Sequence, residues 1–404
     1  MKKILLIMPY GKVGGMERLA FNFYSNLKAK GHYVIAVKII QQKTDIIFFN
    51  EDEIALSNKD FHEMSFLNRF WFYIKIPFKI RQIIRKNKIS HSVSFGDMAN
   101  IFSSLTFTKE YKIASIHALK SIEFMNKNVL NFLFKFGYKS SYFFFNKVIC
   151  ISHAIKKDII QNCDFKFIKK LQVIYNPHDL IKINEKSKEE IIANYEKSLF
   201  MNDIILFVGR LSIQKAPWHL IKSFSLLENK ENNIKLVFIG EGDIQITNYL
   251  LELSKELKIE KNVVFLGPKS NPYKYILNSK LVALTSYYEG TPNVIVEAIA
   301  LGIPIVSSNC TDGISEIMSI NVNKIDNINK LIITECGIIT PSFYSGHLTL
   351  PTDNKISCNE KYYAKALLQI LTNSGFKKKL SKNKLKLLKK FDMDTIIKSY
   401  FEDS

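Results

Sequence analysis

The chain has 404 residues, of which 47% are hydrophobic and 23% charged, and this composition excludes a largely disordered protein. At roughly 150 residues per domain, the length predicts two or three domains. The 57 lysines and arginines exceed the 37 aspartates and glutamates and give a formal net charge of +20. This charge favours an anionic partner, either nucleic acid, anionic lipid or a phosphorylated substrate; a lysine-rich composition inherited from an AT-rich genome is the alternative.

The first half of the chain begins with a strand, a glycine-containing loop and a helix. Lys3–Met8 is an apolar run of strand length, Gly11, Gly14 and Gly15 follow it, and Met16–Ala29 has helical spacing. The further strands predicted in this half are Tyr33–Ile40, Ser90–Phe95, Tyr111–Ile116, Lys147–Ile151 and Leu171–Tyr175. Strands and helices that alternate in this way indicate a doubly wound parallel sheet.

The second half repeats this alternation after a polar, helix-prone connection over residues 181–199. Its predicted strands are Ile204–Val208, Lys235–Ile239, Val263–Leu266, Val282–Thr285 and Pro304–Ser307. Its predicted helices are Pro217–Leu227, Ile244–Leu257, Pro292–Leu301, Tyr362–Leu371 and Phe376–Tyr400. The sequence therefore predicts an α/β protein of two Rossmann-like domains, with ligands bound in the cleft beyond the carboxyl ends of the strands.

Cysteines and hydrophobic segments bear on the cellular compartment. The five cysteines are odd in number and none lies in C-x-x-C spacing, so we expect neither a disulfide framework nor a cysteine zinc site. This pattern favours a protein of the reducing cytoplasm. The apolar run from Val129 to Phe145 is interrupted by Lys135 and Lys139, too short for a membrane span. Residues 1–8 lack a following cleavage site and are better interpreted as a buried strand than as a signal peptide.

Two cations follow the first strand of the second half. Arg210 and Lys215 lie five residues apart in the loop between Ile204–Val208 and the next helix. An arginine offers a planar fork for phosphate oxygens and a lysine a compact charge, so the pair suits a diphosphate. A solvated pair of loop cations is the alternative.

A second polar loop precedes the helix Pro292–Leu301. Thr291 is predicted to cap that helix and Pro292 to be its first residue, so that free backbone amides form an anion site. Glu289 and Glu297 flank this site, and carboxylates can accept hydrogen bonds from sugar hydroxyls. For Glu297 alone, an ordinary exposed helix glutamate is the alternative.

The glycine loop after the first strand is the third candidate. Gly14 and Gly15 allow a ligand to approach the backbone closely at a helix start. The loop does not match G-x-G-x-x-G, so a dinucleotide fingerprint is not indicated. A plain tight turn is the alternative.

In combination, these motifs resemble the retaining, GT-B-fold nucleotide-sugar glycosyltransferases of glycosyltransferase family 4, of the bacterial surface-glycan type. The resemblance covers nearly the whole chain and is strongest over residues 204–317. The segments that carry it are Gly14–Arg18, Val208–Lys215, Gly240–Gly242, Phe265–Gly267 and Glu289–Ala298.

The resemblance implies a domain organisation. An acceptor-side domain would comprise residues 1–180, a connection residues 181–199, and a donor domain residues 200–380. A C-terminal helix within residues 381–404 would pack back toward the first domain.

The resemblance also implies roles for the residues around the donor. Arg210 and Lys215 would hold the diphosphate and stabilise the leaving group, Glu289 would contact the donor sugar, and Glu297 the ribose. The backbone around the diphosphate and the base would come from Gly14, Gly15, Gly290, Thr291, Pro292, Asn293, Val294, Gly267 and Pro268.

His117, which follows the strand Tyr111–Ile116, would by the same resemblance orient the donor sugar or the acceptor. A structurally satisfied histidine is the alternative. A UDP-linked sugar would be the substrate, with no metal and no other cofactor. The Asp-x-Asp sequence at residues 392–394 lies in a helical stretch and not in a loop after a strand.

The acceptor side is marked by cations and aromatic residues. Residues 64–90 contain seven basic and no acidic residues, interleaved with aromatic ones, and residues 124–147 form a second such region. Such segments are typical of proteins that bind an anionic membrane surface, and the resemblance implies a lipid-linked glycan acceptor there. Core helices with basic outer faces are the alternative.

The sequence leaves alternatives for one segment and for the function. Residues 342–358 depart from the commonest family pattern and lie either beside the cleft or in a surface insertion. The rival functions are a catalytically idle relative that serves as an interaction subunit, and a module that binds anionic lipid or nucleic acid. No recognised nucleic-acid motif supports the second.

Overall fold

The computed structural model describes residues 1–11, 15–43, 45, 47–125, 129–227, 233–321 and 330–402. The chain divides into two compact units. Unit 1 comprises Met1–His178 and Asp392–Ser404, and unit 2 comprises Asp179–Phe391.

Unit 1 is built on a seven-stranded parallel sheet. Its strands are β1 (Lys3–Met8), β2 (Tyr33–Lys38), β3 (Glu53–Ala55), β4 (His91–Phe95), β5 (Tyr111–Ile116), β6 (Lys147–Cys150) and β7 (Leu171–Val173). Its first six helices are α1 (Gly15–Ala29), α2 (Phe66–Asn87), α3 (Asp97–Ser104), α4 (Lys120–Glu123), α5 (Val129–Lys139) and α6 (His153–Asn162). All of the strand pairs are parallel, in the order β3-β2-β1-β4-β5-β6-β7.

Both faces of this sheet are covered, and this explains the continuous apolar strands. Successive side chains of a strand point to opposite faces. Thus Ile4 and Leu6 contribute to one buried cluster and Leu5 and Ile7 to another.

Unit 2 repeats the architecture with seven strands. They are β8 (Asp203–Val208), β9 (Ile234–Ile239), β10 (Val263–Phe265), β11 (Leu281–Leu284), β12 (Ile305–Ser308), β13 (Ile332–Ile333) and β14 (Gly337–Thr340). Its helices are α7 (Leu180–Ser187), α8 (Asn194–Leu199), α9 (Trp218–Phe224), α10 (Ile244–Glu256), α11 (Tyr273–Leu277), α12 (Asn293–Leu301), α13 (Asp312–Met318), α14 (Cys358–Thr372) and α15 (Gly375–Leu388). The sheet order is β10-β9-β8-β11-β12-β14-β13, and only the short β13 is antiparallel.

Both sheets have a point at which the strand order reverses. In unit 1 the chain winds from β1 toward β3 and then returns to β4 on the other side of β1. In unit 2 it winds from β8 toward β10 and returns to β11 beside β8. Connections leave these two pairs of strands in opposite directions, which opens a crevice at their carboxyl ends where ligands of such sheets bind.

The end of the chain differs from the single helical stretch predicted over Phe376–Tyr400. The helix α15 ends at Leu388, and a separate helix α16 (Met393–Phe401) begins after Asp392. Asp392 is extended and accepts hydrogen bonds from the Thr395 amide and hydroxyl, at 2.9 and 2.7 Å. This capping side chain breaks the predicted helix in two.

The helix α16 packs on unit 1. Ile396, Ile397 and Tyr400 are buried, and the Tyr400 ring lies 4.6 Å from that of Phe23. The Lys147 ammonium donates to the Ser399 carbonyl at 3.1 Å. The polar connection predicted over residues 181–199 consists of α7 and α8 and belongs to unit 2.

Candidate functional site

The predicted cations and carboxylate of unit 2 lie in two neighbouring loops at the reversal point of its sheet. The loop after β8 carries Arg210 and Lys215, and the loop after the neighbouring β11 carries Glu289. The Lys215 ammonium lies 2.5 Å from the Glu289 carboxylate, and the Ser286 hydroxyl donates to the same carboxylate oxygen at 2.6 Å. Lys215 is therefore not the solvated loop cation of the alternative interpretation, because it is largely buried and ion-paired.

Hydrogen bonds to backbone carbonyls join these two loops. The Tyr287 amide donates to the Gln214 carbonyl at 2.8 Å, and the Gln214 side-chain amide donates to the Tyr288 carbonyl at 3.1 Å. The Thr285 hydroxyl lies 3.1 Å from the carbonyl oxygens of both Lys215 and Ala216. These contacts hold the cation and the carboxylate at a fixed separation before any ligand arrives.

Arg210 differs from Lys215 in its surroundings, since its side chain is exposed. It lines an open depression of about 400 Å³ formed by the loops after β8 and β9 and the start of α10. The two loops approach each other closely: a side chain at Gly240 would place its Cβ 1.9 Å from the Gly209 carbonyl oxygen, and one at Gly242 would lie equally close to the Leu211 carbonyl. The predicted motif Gly240–Gly242 thus has a packing reason beside the arginine loop.

The start of α12 corrects one sequence prediction. Pro292, not Thr291, is the N-cap residue, Asn293 is the first helical residue, and no side chain caps the helix. The Thr291 hydroxyl oxygen and the Asn293 amide oxygen are buried without a hydrogen-bond partner among the described residues. With Gly290 and Val294, these residues form a helix start whose polar groups remain available to a ligand.

Glu297 lies one turn further along α12 and is buried, with 5% of its surface exposed. The alternative of an exposed helix glutamate is therefore wrong. Gly267 and Pro268 follow β10, which lies two strands from β8 at the same carboxyl edge of the sheet. Gly267 adopts a left-handed conformation with φ +69°, and its carbonyl accepts a hydrogen bond from the Gly240 amide.

In unit 1, one predicted site residue follows β1, at the reversal point, and another follows β5, one strand beyond β4. Gly15 begins α1 after β1, whereas Gly14 lies outside the described residues. His117 directly follows β5, and its ring centre is 6.2 Å from that of Phe95.

The imidazole of His117 is held neutral. Burial, together with the nearby Lys120 ammonium, lowers the pKa of His117 to about 3. Its Nε2 atom is buried without a hydrogen-bond partner among the described residues. A structurally satisfied histidine would have such a partner, so this nitrogen favours a ligand-binding role over the structural alternative.

A network around His219 was not predicted from the sequence. The His219 Nδ1 lies 2.8 Å from the Glu360 carboxylate and Nε2 3.1 Å from the Tyr287 hydroxyl, while the Phe343 ring stacks on the imidazole at 4.2 Å. Because a carboxylate only accepts, Nδ1 carries the proton toward Glu360. The sequence held only a weak signal for this network, because its four residues come from four separate elements.

This network also locates residues 342–358. The Lys222 ammonium donates to the carbonyls of Asp353 and Lys355, each at 3.2 Å, and the Tyr249 hydroxyl donates to Asn354 at 2.7 Å. The segment thus lies across α9 and α10 and is anchored there, unlike a loosely attached surface insertion.

A buried thiol completes the surroundings of Glu289. Cys310 follows β12, and burial raises its pKa well above the usual range, with a further contribution from the Glu289 carboxylate. The thiol is therefore neutral and unreactive at physiological pH. All five cysteines are free.

The Asp-x-Asp carboxylates have structural partners. Asp392 caps α16, and Asp394 forms an ion pair with Lys30 at 2.8 Å and accepts a hydrogen bond from Asn26 at 2.9 Å. Within the described ranges, no cluster of three or more acidic, histidine or cysteine side chains is arranged to bind a metal ion.

The first aromatic-basic region is a helix with two different faces. Ile76, Ile80 and Ile84 of α2 are buried in the core of unit 1, as the core-helix alternative requires. Six large apolar side chains of the same helix are exposed, Phe66, Leu67, Phe70, Trp71, Ile74 and Phe78. Among the helices that the structure describes, none is long and apolar enough to cross a membrane.

An exposed aromatic series continues beyond this helix. The Arg81 guanidinium lies 5.3 Å from the ring centre of Phe78 and 5.8 Å from that of Phe107. The ring centres of Phe107 and Phe144 are 5.0 Å apart, and those of Phe144 and Phe143 are 5.6 Å apart. We call these five residues, with the exposed apolar residues of α2, the aromatic surface of unit 1.

The fold and the site together define a class of protein. Two doubly wound units, one with a cation–carboxylate pair and an open helix start at its reversal point, are typical of proteins that bind a phosphate-bearing nucleotide ligand at this edge of the sheet.

Comparison with known proteins identifies the family. Residues 13–182 match the model "Glycosyltransferase Family 4" and residues 187–333 the model "Glycosyl transferases group 1". The two matches together cover more than three quarters of the chain. The chain belongs to the GT-B-fold glycosyltransferases of family 4.

Relatives and solved structures agree with this assignment. An uncharacterised glycosyltransferase of Methanocaldococcus jannaschii is 29% identical over 343 residues, 81% of this chain and 82% of that protein. A Campylobacter jejuni enzyme, GalNAc-α-(1→4)-GalNAc-α-(1→3)-diNAcBac-PP-undecaprenol α-1,4-N-acetyl-D-galactosaminyltransferase, is 24% identical and covers 98% of this chain and 96% of its own length. The crystal structure of Anabaena HepE in complex with UDP superposes with a TM-score of 0.73 at 18% identity, over 99% of both chains.

Proposed function

We propose that the chain transfers a sugar from a UDP-linked donor to a growing lipid-linked glycan of the bacterial cell surface, such as capsule or lipopolysaccharide, with retention of configuration. The observation that carries this proposal is the Lys215–Glu289 pair at the reversal point, beside Arg210 and the uncapped start of α12. The Campylobacter relative, which is named for an acceptor linked to PP-undecaprenol, supports the lipid-linked acceptor.

The cations and the helix start would stabilise the departing UDP. Negative charge develops on the β-phosphate as the glycosidic bond breaks, and preorganised cations and amides stabilise that charge best. Lys215 and Arg210 supply the positive charge, and the amides from Gly290 to Val294 supply hydrogen bonds.

The carboxylates would bind hydroxyl groups. Glu289 is paired with Lys215 and would accept a hydrogen bond from the donor sugar, and Glu297 would accept from the ribose. We assign no nucleophile to the enzyme: Glu289 is already bound to Lys215 and Ser286. The neutral His117 would orient the sugar or the acceptor by hydrogen bonding and would not exchange protons with them.

Transfer of radiolabelled sugar, measured with a panel of nucleotide sugars, tests this function. Donors that raise the midpoint of thermal unfolding should also be turned over, and the product anomer should match the donor. Inversion at the anomeric carbon would contradict retention. Donor binding without turnover by any acceptor extract would favour the idle interaction subunit.

Excess chelator tests the proposed independence from metals. Because side-chain cations and helix amides neutralise the diphosphate, transfer should persist after chelation. Complete loss of transfer, restored by magnesium or manganese, would contradict this part of the proposal.

We further propose that unit 1 docks on the anionic, cytoplasmic face of the membrane through its aromatic surface. Trp71 is 56% and Phe66 82% exposed, and Lys75, Arg85 and Lys86 are exposed on the same helix. Exposed aromatic residues among cations suit the headgroup region, where rings insert and cations bind lipid phosphates.

The conformation of Phe107 supports this docking surface. Its φ of +49° is left-handed, and its ring is 56% exposed. Such a conformation costs about 1–2 kcal/mol for a non-glycine residue, which an exposed ring does not recover in water. Contact with acyl chains would offset the cost, because burial of the ring contributes about 25 cal/mol per Å².

Binding to phosphatidylglycerol vesicles tests the docking surface. Replacing Phe70, Trp71 and Phe78 with serine should abolish the part of the binding that resists high salt. Replacing Ile181, Ile192 and Met201 of unit 2 with serine is the control, since these apolar side chains are even more exposed, and it should leave binding unchanged. Equal loss in both variants, or in neither, would show that these aromatic residues do not contact the bilayer.

A further inference from the structure

Unit 2 carries a concentration of positive charge that the proposed donor site does not use. Residues 361–391 contain ten lysines and no acidic residue, whereas residues 181–360 contain 18 basic and 20 acidic residues. A lysine-rich genome would distribute lysines along the whole unit. The excess is instead confined to one segment of 31 residues.

The helix α15 presents this charge on one face. Lys378, Lys382 and Lys386 are four residues apart and therefore lie along one side of the helix. Lys379 lies beside them on the helix, Lys389 directly follows its last residue, and all five are exposed. None of the five forms an ion pair with a residue in the described part of the chain.

The opposite face of α15 fixes the orientation of the helix. Phe376, Leu380, Leu387 and Leu388 are buried. Leu385 is the exception among the leucines: it is 84% exposed and lies between Lys382 and Lys386 on the charged face. The helix is thus anchored by its own apolar side, so that its lysine face points away from the unit.

We propose that this lysine face binds the surface of an anionic phospholipid bilayer, with Leu385 inserted among the headgroups. Five unpaired cations around one exposed leucine match a surface with diffuse negative charge and an apolar interior. A nucleic-acid groove would offer phosphates but no apolar phase for the leucine. The inference rests on the proposed function only in taking an anionic membrane as the partner. Its residues are separate from the aromatic surface of unit 1.

Vesicle binding by two charge-matched triple variants tests the inference. The first variant carries Lys378→Glu, Lys382→Glu and Lys386→Glu. The control carries Lys188→Glu, Lys255→Glu and Lys261→Glu, which are also exposed lysines of unit 2 and change the net charge equally. Both are compared with wild type on phosphatidylcholine vesicles with and without phosphatidylglycerol.

The α15 variant should bind phosphatidylglycerol vesicles about a hundredfold more weakly, since each lysine at an anionic surface contributes about a factor of five. The control should remain within a few-fold of wild type. Leu385→Ser should weaken the binding that remains at high salt. Equal vesicle binding by the two triple variants would overturn the inference. Binding to RNA is measured on the same proteins, and an α15 variant that loses RNA binding but keeps vesicle binding would also overturn it.

Two further measurements keep these outcomes separate. If the glutamate variant unfolds, it is replaced by a triple glutamine variant, Lys378→Gln, Lys382→Gln and Lys386→Gln. This variant should also bind phosphatidylglycerol vesicles more weakly than wild type. Transfer to a soluble acceptor is measured on the same proteins and should be unchanged. A wild type without transfer activity would count against the proposed function while leaving the vesicle comparison valid.

Discussion

At the scale of single residues, the two site cations have different surroundings and so should respond differently to mutation. Lys215 is largely buried against Glu289, whereas Arg210 is exposed in the open depression. Loss of a buried partner leaves an unsatisfied charge, but loss of an exposed side chain does not. Of the solvated pair of loop cations that was the alternative interpretation of the sequence, only Arg210 is exposed, and Lys215 is not.

The first prediction concerns these two cations. Lys215→Ala and Arg210→Ala should each slow transfer about 10²–10³-fold, because each removes about 2–4 kcal/mol of transition-state stabilisation. In urea titrations, Lys215→Ala should also lower the free energy of unfolding by about 1–3 kcal/mol, and Arg210→Ala by less than about 0.5 kcal/mol.

A double variant separates stability from catalysis at this pair. Lys215→Met with Glu289→Gln removes both charges and should restore most of the stability without restoring transfer. Full activity in the double variant would contradict the proposed roles of both residues.

The second prediction concerns the close approach of the loops after β8 and β9. Overpacking usually costs about 1–3 kcal/mol, and Gly240→Ala should lower the free energy of unfolding of unit 2 by an amount in the upper part of this range, about 2 kcal/mol or more. It should also slow transfer, because the added Cβ would displace the backbone next to Arg210. Gly302→Ala is the control: its φ is also positive, but no atom lies within 4 Å of the added Cβ. It should cost only about 1 kcal/mol and leave the rate unchanged.

At the scale of elements, the segment 342–358 is part of the packing of unit 2. Its Phe343 ring is buried against His219, and three side-chain hydrogen bonds anchor residues 353–355 on α9 and α10. An unanchored insertion would tolerate change throughout. The segment therefore affects the stability of unit 2 through one stacked ring and a few carbonyl contacts.

The third prediction follows from this packing. Phe343→Ala should lower the free energy of unfolding by about 3 kcal/mol, the usual cost of removing a buried phenylalanine ring. His347→Ala, in the same segment but exposed, should have little effect. Equal, small effects in thermal unfolding would mean that the segment does not support unit 2.

At the scale of the whole molecule, unit 1 contains buried neutral histidines that make its stability depend on pH. Burial, with the nearby Lys2, lowers the pKa of His91 to about 4, and burial with Arg18 lowers that of His178 to about 4. The Lys2 ammonium lies 3.3 Å from the His91 Nε2, which can accept its proton only when the imidazole is neutral.

The fourth prediction is loss of stability in mild acid. In the unfolded chain these histidines titrate near 6.5, so below that pH the unfolded state binds more protons than the folded state and stability falls. Between pH 7 and pH 5 each histidine should cost up to about 2 kcal/mol. Urea titrations at the two pH values measure the loss, and His91→Gln should reduce it; an unchanged slope would show that His91 does not contribute.

The sequence alone determined the order of the elements and the class of the protein. Apolar periodicity is local, so β1, β4, β5 and β9 follow from it closely, and the spacing of the glycines, cations and glutamates identified the family. Short or edge elements such as β3 and β13 were not predicted, because a strand of two or three residues has no clear period.

Only the tertiary structure decided which side chains meet and which remain exposed. Lys215 and Glu289 are 74 residues apart, and their pairing depends on β8 and β11 being neighbours in the sheet. Likewise, the composition of α2 and α15 did not indicate which of their faces would be buried. That is set by the rotation of each helix about its own axis against the elements that it packs on, because the face that packs best against the core is buried and the remaining aromatic residues and lysines are left exposed.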